Sequence, residues 1–376
     1  MRAVVTGAHN RIGYAVIRSL HAAGIPVWAG GTTALAMGRV SRLPEGRFHH
    51  PHPVADPEGF IASLRRVGKR LGEAVLLPTG SETLLVAQAW SELKPWFAAT
   101  LPAVGQIEAV IDKLKLAMAA SEVGLAHPAT RLARPDEPPS EYPVVVKPRQ
   151  GAGGWRLRVC PDRETYASAV EAILAAGSEA VVQPHAGDNL TGCAMLFDHG
   201  REVLRFSHRV GLTLGGRGGT PVVRVGEAAL GVEEGLARLL AGLNWHGVCQ
   251  ADFVSGTSGE PQLVDLNPRF WGSLYCATVS GVNFPAACYD SALGRTVTSR
   301  SAEPGWATAW AWGLAAAALR RWASGRRVDL GPGITWSKLR WDDAAAGDPL
   351  PFLFEPVGAV LHNWRGRGRP PQWTQF

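Results

Sequence analysis

Apolar and polar positions along this chain fall into blocks whose period switches between that of a strand and that of a helix. Val4-Val5-Thr6 runs into the turn Gly7-Ala8-His9-Asn10-Arg11-Ile12-Gly13. Ile12, Val16 and Leu20 then recur at helical spacing until Gly24, and a second apolar run covers Ile25 to Ala29. Strand, glycine turn, helix and strand in that order predict a Rossmann-like opening. Val75-Leu76-Leu77 predicts a buried strand entering Pro78-Thr79-Gly80-Ser81-Glu82, a polar turn of the kind where open α/β sheets hold ligands. The same turn also fits a helix start, with Thr79 or Ser81 as cap and Glu82 in the first turn.

Further along, Asp112 is placed to cap a helix carrying Leu114, Met118 and Ser121 on one side and closed by Gly124. A Pro- and Glu-rich linker, Pro135 to Pro143, precedes the apolar strand Val144-Val145-Val146-Lys147, and a further apolar strand leaves Ala180 for a polar kink at Gln183 to Ala186. Val232, Leu236, Leu239, Leu240 and Leu243 form one helical stripe. It leads to two strands, Gly247 to Val254 and Leu263 to Asn267, separated by the turn residues Gly256-Thr257-Ser258-Gly259 and therefore predicted to pair as a hairpin.

A length of 376 residues suggests two or three domains, and 46% hydrophobic with 19% charged residues describes a soluble globular protein. The five Cys are odd in number and scattered, without a C-x-x-C pair, which fits reduced thiols in a cytoplasm better than a disulfide framework or a zinc site. Met1-Arg2 leads directly into the first strand with no apolar leader and cleavage site, so secretion is not expected. The net charge of +6 is spread along the chain, which points to an enzyme handling anions before a nucleic-acid binder.

These features narrow the candidate chemistry. Strand periodicity sends Asp265 and Asn267 to one face and Val264 and Leu266 to the other, toward a core, and a hairpin centred near Ser258 and Gly259 sets Asp252 opposite Asp265. Two carboxylates and an amide oxygen are a hard-oxygen set of the kind Mg²⁺ shares with nucleotide phosphates. A plain hairpin with a salt bridge to Arg269 is the structural alternative. Lys113 sits in a helix first turn, where the macrodipole opposes a cation, so a phosphate-reaching role is favoured. Lys147 ends an apolar strand and needs an anionic partner, and Gly151-Ala152-Gly153-Gly154 behind it can fold N–H groups over phosphates. Arg205, Arg209, Arg217 and Arg224 flank two Gly-Gly pairs in a loop that could close on an anion, with a surface hairpin preferred for Arg205 and Arg217. His49, His50 and His52 lie between prolines with nothing spaced to complete a metal site, so a loop is expected there.

Asp112-Lys113, Lys147 with its glycine loop, the strand end at Gln183 to Ala186, Asp252, and Asp265-Asn267-Arg269 follow one another in an order and spacing that resembles the ATP-grasp ligases over about residues 105 to 300. Residues 1–104 look like the Rossmann-like domain that precedes ATP-grasp in carboxylate-amine ligases and carbamoyl-phosphate-synthase-like enzymes. The resemblance implies an α/β protein, α+β in its nucleotide domain, divided as 1–104, 105–300 with a lid at about 128–186, and a C-terminal extension at 301–376. It also implies that ATP and Mg²⁺ (or Mn²⁺) are used. Lys113 and Lys147 would grip phosphates, Gly151, Gly153 and Gly154 would cover them, and Gln183, Pro184, His185 and Ala186 would read adenine. Asp252, Asp265 and Asn267 would hold the metal. Arg269 and Lys147 would carry catalysis, with Arg209 and Arg224 beside them, and Thr79, Ser81 and Glu82 are the substrate candidates. Three departures stand out: Asp where many members have Glu at 252 and 265, Gln183 where Glu is frequent, and Pro184, which cannot donate a hydrogen bond, where a donor-bearing residue is usual.

The function so implied is ATP-dependent joining of a small-molecule carboxylate to an amine through an acyl phosphate. Nucleic acid is not expected as a partner, and a homodimer is allowed. The alternative is a Rossmann-type oxidoreductase or a non-catalytic nucleotide-binding regulator with a membrane-seeking tail. Against the oxidoreductase, Gly30-Gly31-Thr32-Thr33 stands where an acidic residue would bind a ribose. Eight of the 14 Trp lie beyond residue 300, outside the motifs, and Trp306 to Leu319 is apolar and uncharged with Arg320-Arg321 after it. A packed helix is the first reading of that stretch, and a helix lying in a membrane interface the second.

Overall fold

In the computed structural model, which describes residues 1–151, 155–214, 219–256, 259–298, 301–325 and 327–365, the strand and helix periods build a mixed α/β protein around three sheets. The first holds β1 (Arg2–Val5), β2 (Val27–Gly31), β3 (Gly46–His49), β4 (Ala74–Leu77) and β5 (Phe97–Ala98), all parallel in the order β3-β2-β1-β4-β5. Parallel strands need crossovers, and the amphipathic helices Arg11–Ala22 and Pro57–Leu71 supply them. Asn10 caps the first of these by accepting from the N–H groups of Ile12 and Gly13.

A small antiparallel sheet follows: β6 (Arg131–Leu132), β7 (Val144–Pro148), β8 (Arg158–Cys160) and β9 (Ala180–Pro184), in the order β6-β9-β7-β8, with helix Arg163–Leu174 packed on it. The rest of the chain builds a seven-stranded sheet from β10 (Asn189–Asp198), β11 (Arg201–Leu214), β12 (Thr220–Glu227), β13 (Gly247–Ser255), β14 (Gln262–Asn267), β15 (Ala307–Ala309) and β16 (Leu339–Trp341), in the order β14-β13-β10-β11-β12-β15-β16.

That sheet is covered on both faces, and β10 shows how. Cys193, Met195 and Phe197 point into a core with helices Lys113–Glu122 and Glu233–Gly242, while Ala194 and Leu196 point into a core shared with helices Leu274–Val279 and Phe284–Ala292 and with β1, β2 and helix Arg11–Ala22. The first sheet is thereby fused to the large one through common apolar contacts. All five Cys are free and buried.

Three expectations change. The helix after Asp112 buries Leu116 and Ala120 and leaves Met118 exposed, because its inner stripe is fixed by Lys113 and not by Leu114. The Trp306 to Leu319 stretch is not one helix: β15 comes first, and helix Ala311–Ala323 begins only after Trp310. A boundary at residue 300 also divides a continuous sheet, since β15 pairs with β12 and β16 with β15. The extension completes the fold by hydrogen bonding, with Ala307, Ala309, Ala317 and Leu339 in a core with Val222, Val223 and Val225.

Deleting residues 301–376 therefore strips one side of β12 and opens that core. The truncated chain is expected to unfold at least ~5 °C below the full chain, the shift that follows from losing a few kcal/mol, or to aggregate through the exposed β12 edge. Differential scanning calorimetry with light scattering measures both, and an unchanged midpoint would refute the structural role.

Candidate active site

Register places the central pair. In the β13–β14 hairpin Asp252 lies directly across from Asp265, and Gln250 from Asn267. A bulge then shifts the pairing, so that Phe253 meets Leu263 and Val264 is left out of step. This corrects the strict alternation expected from the sequence: Leu263 and Leu266, not Val264 and Leu266, enter the core, and Val264 lines the cavity. The bulge frees the Val264 carbonyl, which accepts from Lys147 Nζ at 2.7 Å.

The carboxylates are tightly held. Gln250 Nε2 donates to Asp252 Oδ1 at 2.7 Å, and Asn267 Nδ2 to Asp252 Oδ2 at 3.3 Å and to Gln250 Oε1 at 3.2 Å. Asp265 Oδ1 pairs with Lys113 Nζ at 2.7 Å, and that ammonium also donates to the Gly151 carbonyl at 2.9 Å. Asn267 Oδ1 accepts from Arg269 at 3.2 Å. Burial, helped by the facing Asp265, pushes the Asp252 carboxyl up to about 6. Burial would raise Asp265 as well, but Lys113, Lys147 and Arg269 outweigh it and hold that carboxyl below its usual range. Burial, together with Lys113, lowers Lys147 to about 8. Two facing carboxylates with an amide oxygen beside them suit a divalent cation, and Lys113 already occupies part of that place with its own charge.

A cavity of about 570 Å³ opens beside the hairpin. Lys113, Lys147, Gly151, Gln183, Pro184, His185, Ala186, Arg224, Asp252, Asp265, Asn267 and Arg269 all line it. Elements far apart in the chain thus bring most of the predicted set together. Gln183 is buried, with Nε2 donating to Thr130 Oγ1 at 2.7 Å, and the His185 N–H is taken by the Pro143 carbonyl. Gly153 and Gly154 of the glycine loop, Thr257 and Ser258 of the hairpin turn, and Arg217 lie outside the described residues.

Two groups stand apart from the expectation. Arg209 donates to Glu227 at 2.6 Å and to the Pro332 carbonyl, and is not among the residues lining the cavity. Arg205 is held by Glu202 and Glu234, each at 2.6 Å, as a surface hairpin requires. Neither Thr79 nor Ser81 caps a helix through its side chain. Glu82 instead turns back, accepting from Thr6 Oγ1 at 2.7 Å and the Thr79 N–H at 3.0 Å, and its charge acts on Arg269. Ser81 lines a smaller cavity of about 70 Å³ that shares Asp265, Asn267 and Arg269 with the large one. The glycine turn itself does not suit a dinucleotide, because Asn10 already takes the N–H groups at the helix start and the Glu82 carboxylate stands beside Gly7.

Sequence reasoning missed three participants. Gln250 was recoverable, since it lies two residues before Asp252 on the same strand face. His208 lines the cavity from β11, where burial and then Arg224 lower its imidazole to about 3, and Ser273 Oγ lies 3.0 Å from its Nε2. Asp342, from the extension, is fully buried and meets Arg224 at 3.1 Å and Arg11 at 3.7 Å. No local signal marks it, because its ion-pair partners lie more than a hundred residues away.

No family model matches the chain, and no curated protein matches it by sequence. Solved structures do. A biotin carboxylase from Campylobacter jejuni in complex with βγ-ATP superposes with a TM-score of 0.64 over 81% of this chain and 74% of its own, at 14% identity. The biotin carboxylase domain of a Hydrogenobacter thermophilus 2-oxoglutarate carboxylase, bound to MgADP, ADP and bicarbonate, gives 0.64 over 81% and 73% at 16% identity. An L-amino acid ligase from Bacillus licheniformis gives 0.60 over 78% and 74% at 17% identity. The chain has the fold these proteins share.

His208 also sets an acid sensitivity. An unfolded chain protonates this imidazole near 6.5, while the folded one resists until about 3, so the unfolded state binds the extra proton between those values. Stability held above pH 6.5 is therefore lost as pH falls toward 3. Replacing His208 with Gln is expected to flatten the fall in urea midpoint between pH 7 and pH 5, and an unchanged slope would refute the assignment.

Proposed function

We propose that this protein is an ATP- and Mg²⁺-dependent ligase that activates a substrate carboxylate as an acyl phosphate and passes it to an amine, releasing ADP and phosphate. One observation carries the reading: Lys113, Lys147, Arg224 and Arg269 line one cavity with the facing carboxylates Asp252 and Asp265 and with Asp188, four cations against three anions. Such an excess of buried positive charge suits a polyphosphate. That the solved neighbours include a biotin carboxylase with βγ-ATP and an amino acid ligase supports the same class.

In this reading the residues have separable tasks. Lys113 and Lys147 rest on Asp265 and on the Val264 and Gly151 carbonyls, oxygens that phosphate oxygens would replace. Asp252, Asp265 and Asn267 would hold Mg²⁺, which supplies charge neutralisation at the phosphates when bound. Gln183 to Ala186 line the cavity from the end of β9, where main-chain carbonyls and the Ala186 N–H would read a base. Arg269 is oriented by Asn267 Oδ1 and the Phe270 carbonyl, so its guanidinium is fixed before substrate arrives. Arg224, held by Asp342, presents a second fixed cation from β12, suited to a substrate carboxylate. Rate enhancement would come from positioning and charge. The parallel N-terminal sheet would serve as the Rossmann-like domain implied by the resemblance, with its Gly80–Ser81 turn, which lines the smaller cavity, available to a substrate.

Screening mixtures of amino acids and small carboxylic acids for ADP release with Mg·ATP, with mass analysis of products, tests the activity. Asp265→Ala is expected to abolish turnover with the fold intact, and Lys147→Met to lower it by about 10²-fold. Undiminished turnover in either would remove that residue from the site.

Arg269→Lys separates mechanism from binding. The planar guanidinium reaches a transferred phosphoryl group in a bidentate way that an ammonium cannot copy. ATP affinity should stay nearly constant while turnover falls by about 10²-fold, the scale for losing a fixed donor at a developing charge. With ¹⁸O in the substrate carboxylate, one label is expected in released phosphate. Its absence during verified product formation would rule out the acyl phosphate.

A further inference from the structure

The last helix is docked the wrong way round for a core element. Helix Leu350–Arg365 turns Pro351, Glu355, Gly358 and His362 toward the protein and leaves Leu353 56%, Val357 47%, Val360 68% and Trp364 62% exposed. With Leu350 these outer positions repeat at spacings of three and four, so they form one continuous apolar stripe. The inner face is committed. Glu355 pairs with Arg11 at 3.4 Å, and His362 lies 3.0 Å from Thr32 Oγ1 and stacks on His9 at 3.5 Å, so the helix cannot roll its apolar side inward without breaking these contacts.

Helix Ala311–Ala323 repeats the arrangement. Gly313 and Ala317 pack inward, while Trp312, Ala315, Leu319 and Trp322 face out at the same spacing, with Trp322 77% exposed. The two helices touch, since Trp312 stacks on Phe352 at 5.1 Å and donates from Nε1 to the Phe352 carbonyl at 2.9 Å. Neither helix carries an exposed acid, whereas Arg320 and Arg321 stand directly before Trp322, and Arg365 after Trp364 turns inward to the Thr32 carbonyl.

We infer that these two helices form a docking surface for an anionic phospholipid bilayer, lying on it with their outer stripes in the interface. Trp at the ends of apolar stripes and Arg beside them match the layered chemistry of a headgroup region. Neither helix is long and apolar enough to cross a membrane, so contact is peripheral. A second copy of the chain fits less well. In a two-fold interface built from these stripes no acid would answer Arg320 and Arg321, and the positions flanking the last stripe, Phe354, Pro356, Leu361 and Asn363, offer no charge pairs.

The full chain is expected to co-sediment with phosphatidylcholine vesicles containing phosphatidylglycerol, less with phosphatidylcholine alone, and progressively less as salt rises. Leu353→Glu with Val360→Glu should lower the partition coefficient about tenfold or more at an unchanged thermal midpoint. Arg320→Gln and Arg321→Gln, which leave the apolar stripe intact, should lower it about fivefold each. Absence of binding at low salt, or equal binding to both vesicle types regardless of salt, would overturn the proposal. So would sedimentation equilibrium showing a dimer that Leu353→Glu with Val360→Glu dissociates while vesicles are ignored. None of these readouts depends on ligase activity.

Discussion

Everything at the centre of this molecule depends on keeping two carboxylates, Asp252 and Asp265, face to face in a buried hairpin. Left alone they would repel across the strands. The structure resolves this unequally: Lys113 and Lys147 keep Asp265 charged, while Asp252 is held by the neutral amides of Gln250 and Asn267 and is shifted toward its protonated form. In the reading proposed above, a divalent cation would add to the charge that Arg269 alone supplies on the Asp252 side. The bulge at Val264 belongs to the same solution, because it turns a carbonyl toward Lys147 that a regular ladder would have kept in the sheet.

The same logic explains why the C-terminal extension cannot be a loose appendage. Arg224 is a buried guanidinium at the cavity wall, and burial lowers it to about 10. An isolated charge of that kind is costly, and Asp342 supplies the counter-charge from a segment that enters the sheet only through β15 and β16. Arg11 and Glu355 extend the network into the first sheet's helix and the last helix. Three parts of the chain are thus tied by ion pairs that leave the last helix's apolar side outward.

Much of the site was legible because its parts are local. The Asp265-Asn267 spacing, the Asp112 cap, the strand ending in Lys147 and the kink after Ala180 each follow from a period or a turn residue within a few positions, and the order of these motifs carried the likeness to ATP-grasp ligases. Where the local rule was an idealisation, it failed in a definite way. Strict alternation misassigned Val264 because a bulge inserts one residue, and the capping rule put Ser81 at the N-cap with Glu82 in the first turn but not the side-chain cap bond, while Glu82 reaches a buried hydroxyl seventy-six residues away.

By itself the sequence determined many of the secondary elements, the pairing that sets Asp252 against Asp265, and the set of cations available to face them. All of these depend on neighbours close in the chain. The tertiary structure alone decided which arginine stays at the cavity: Arg209 is drawn off by Glu227 while Arg224 is kept by Asp342. It also decided that the tail closes a sheet and that its last helix shows apolar side chains to solvent. Those outcomes turn on which distant charge lies within 4 Å once the sheets are assembled, and no periodicity encodes that.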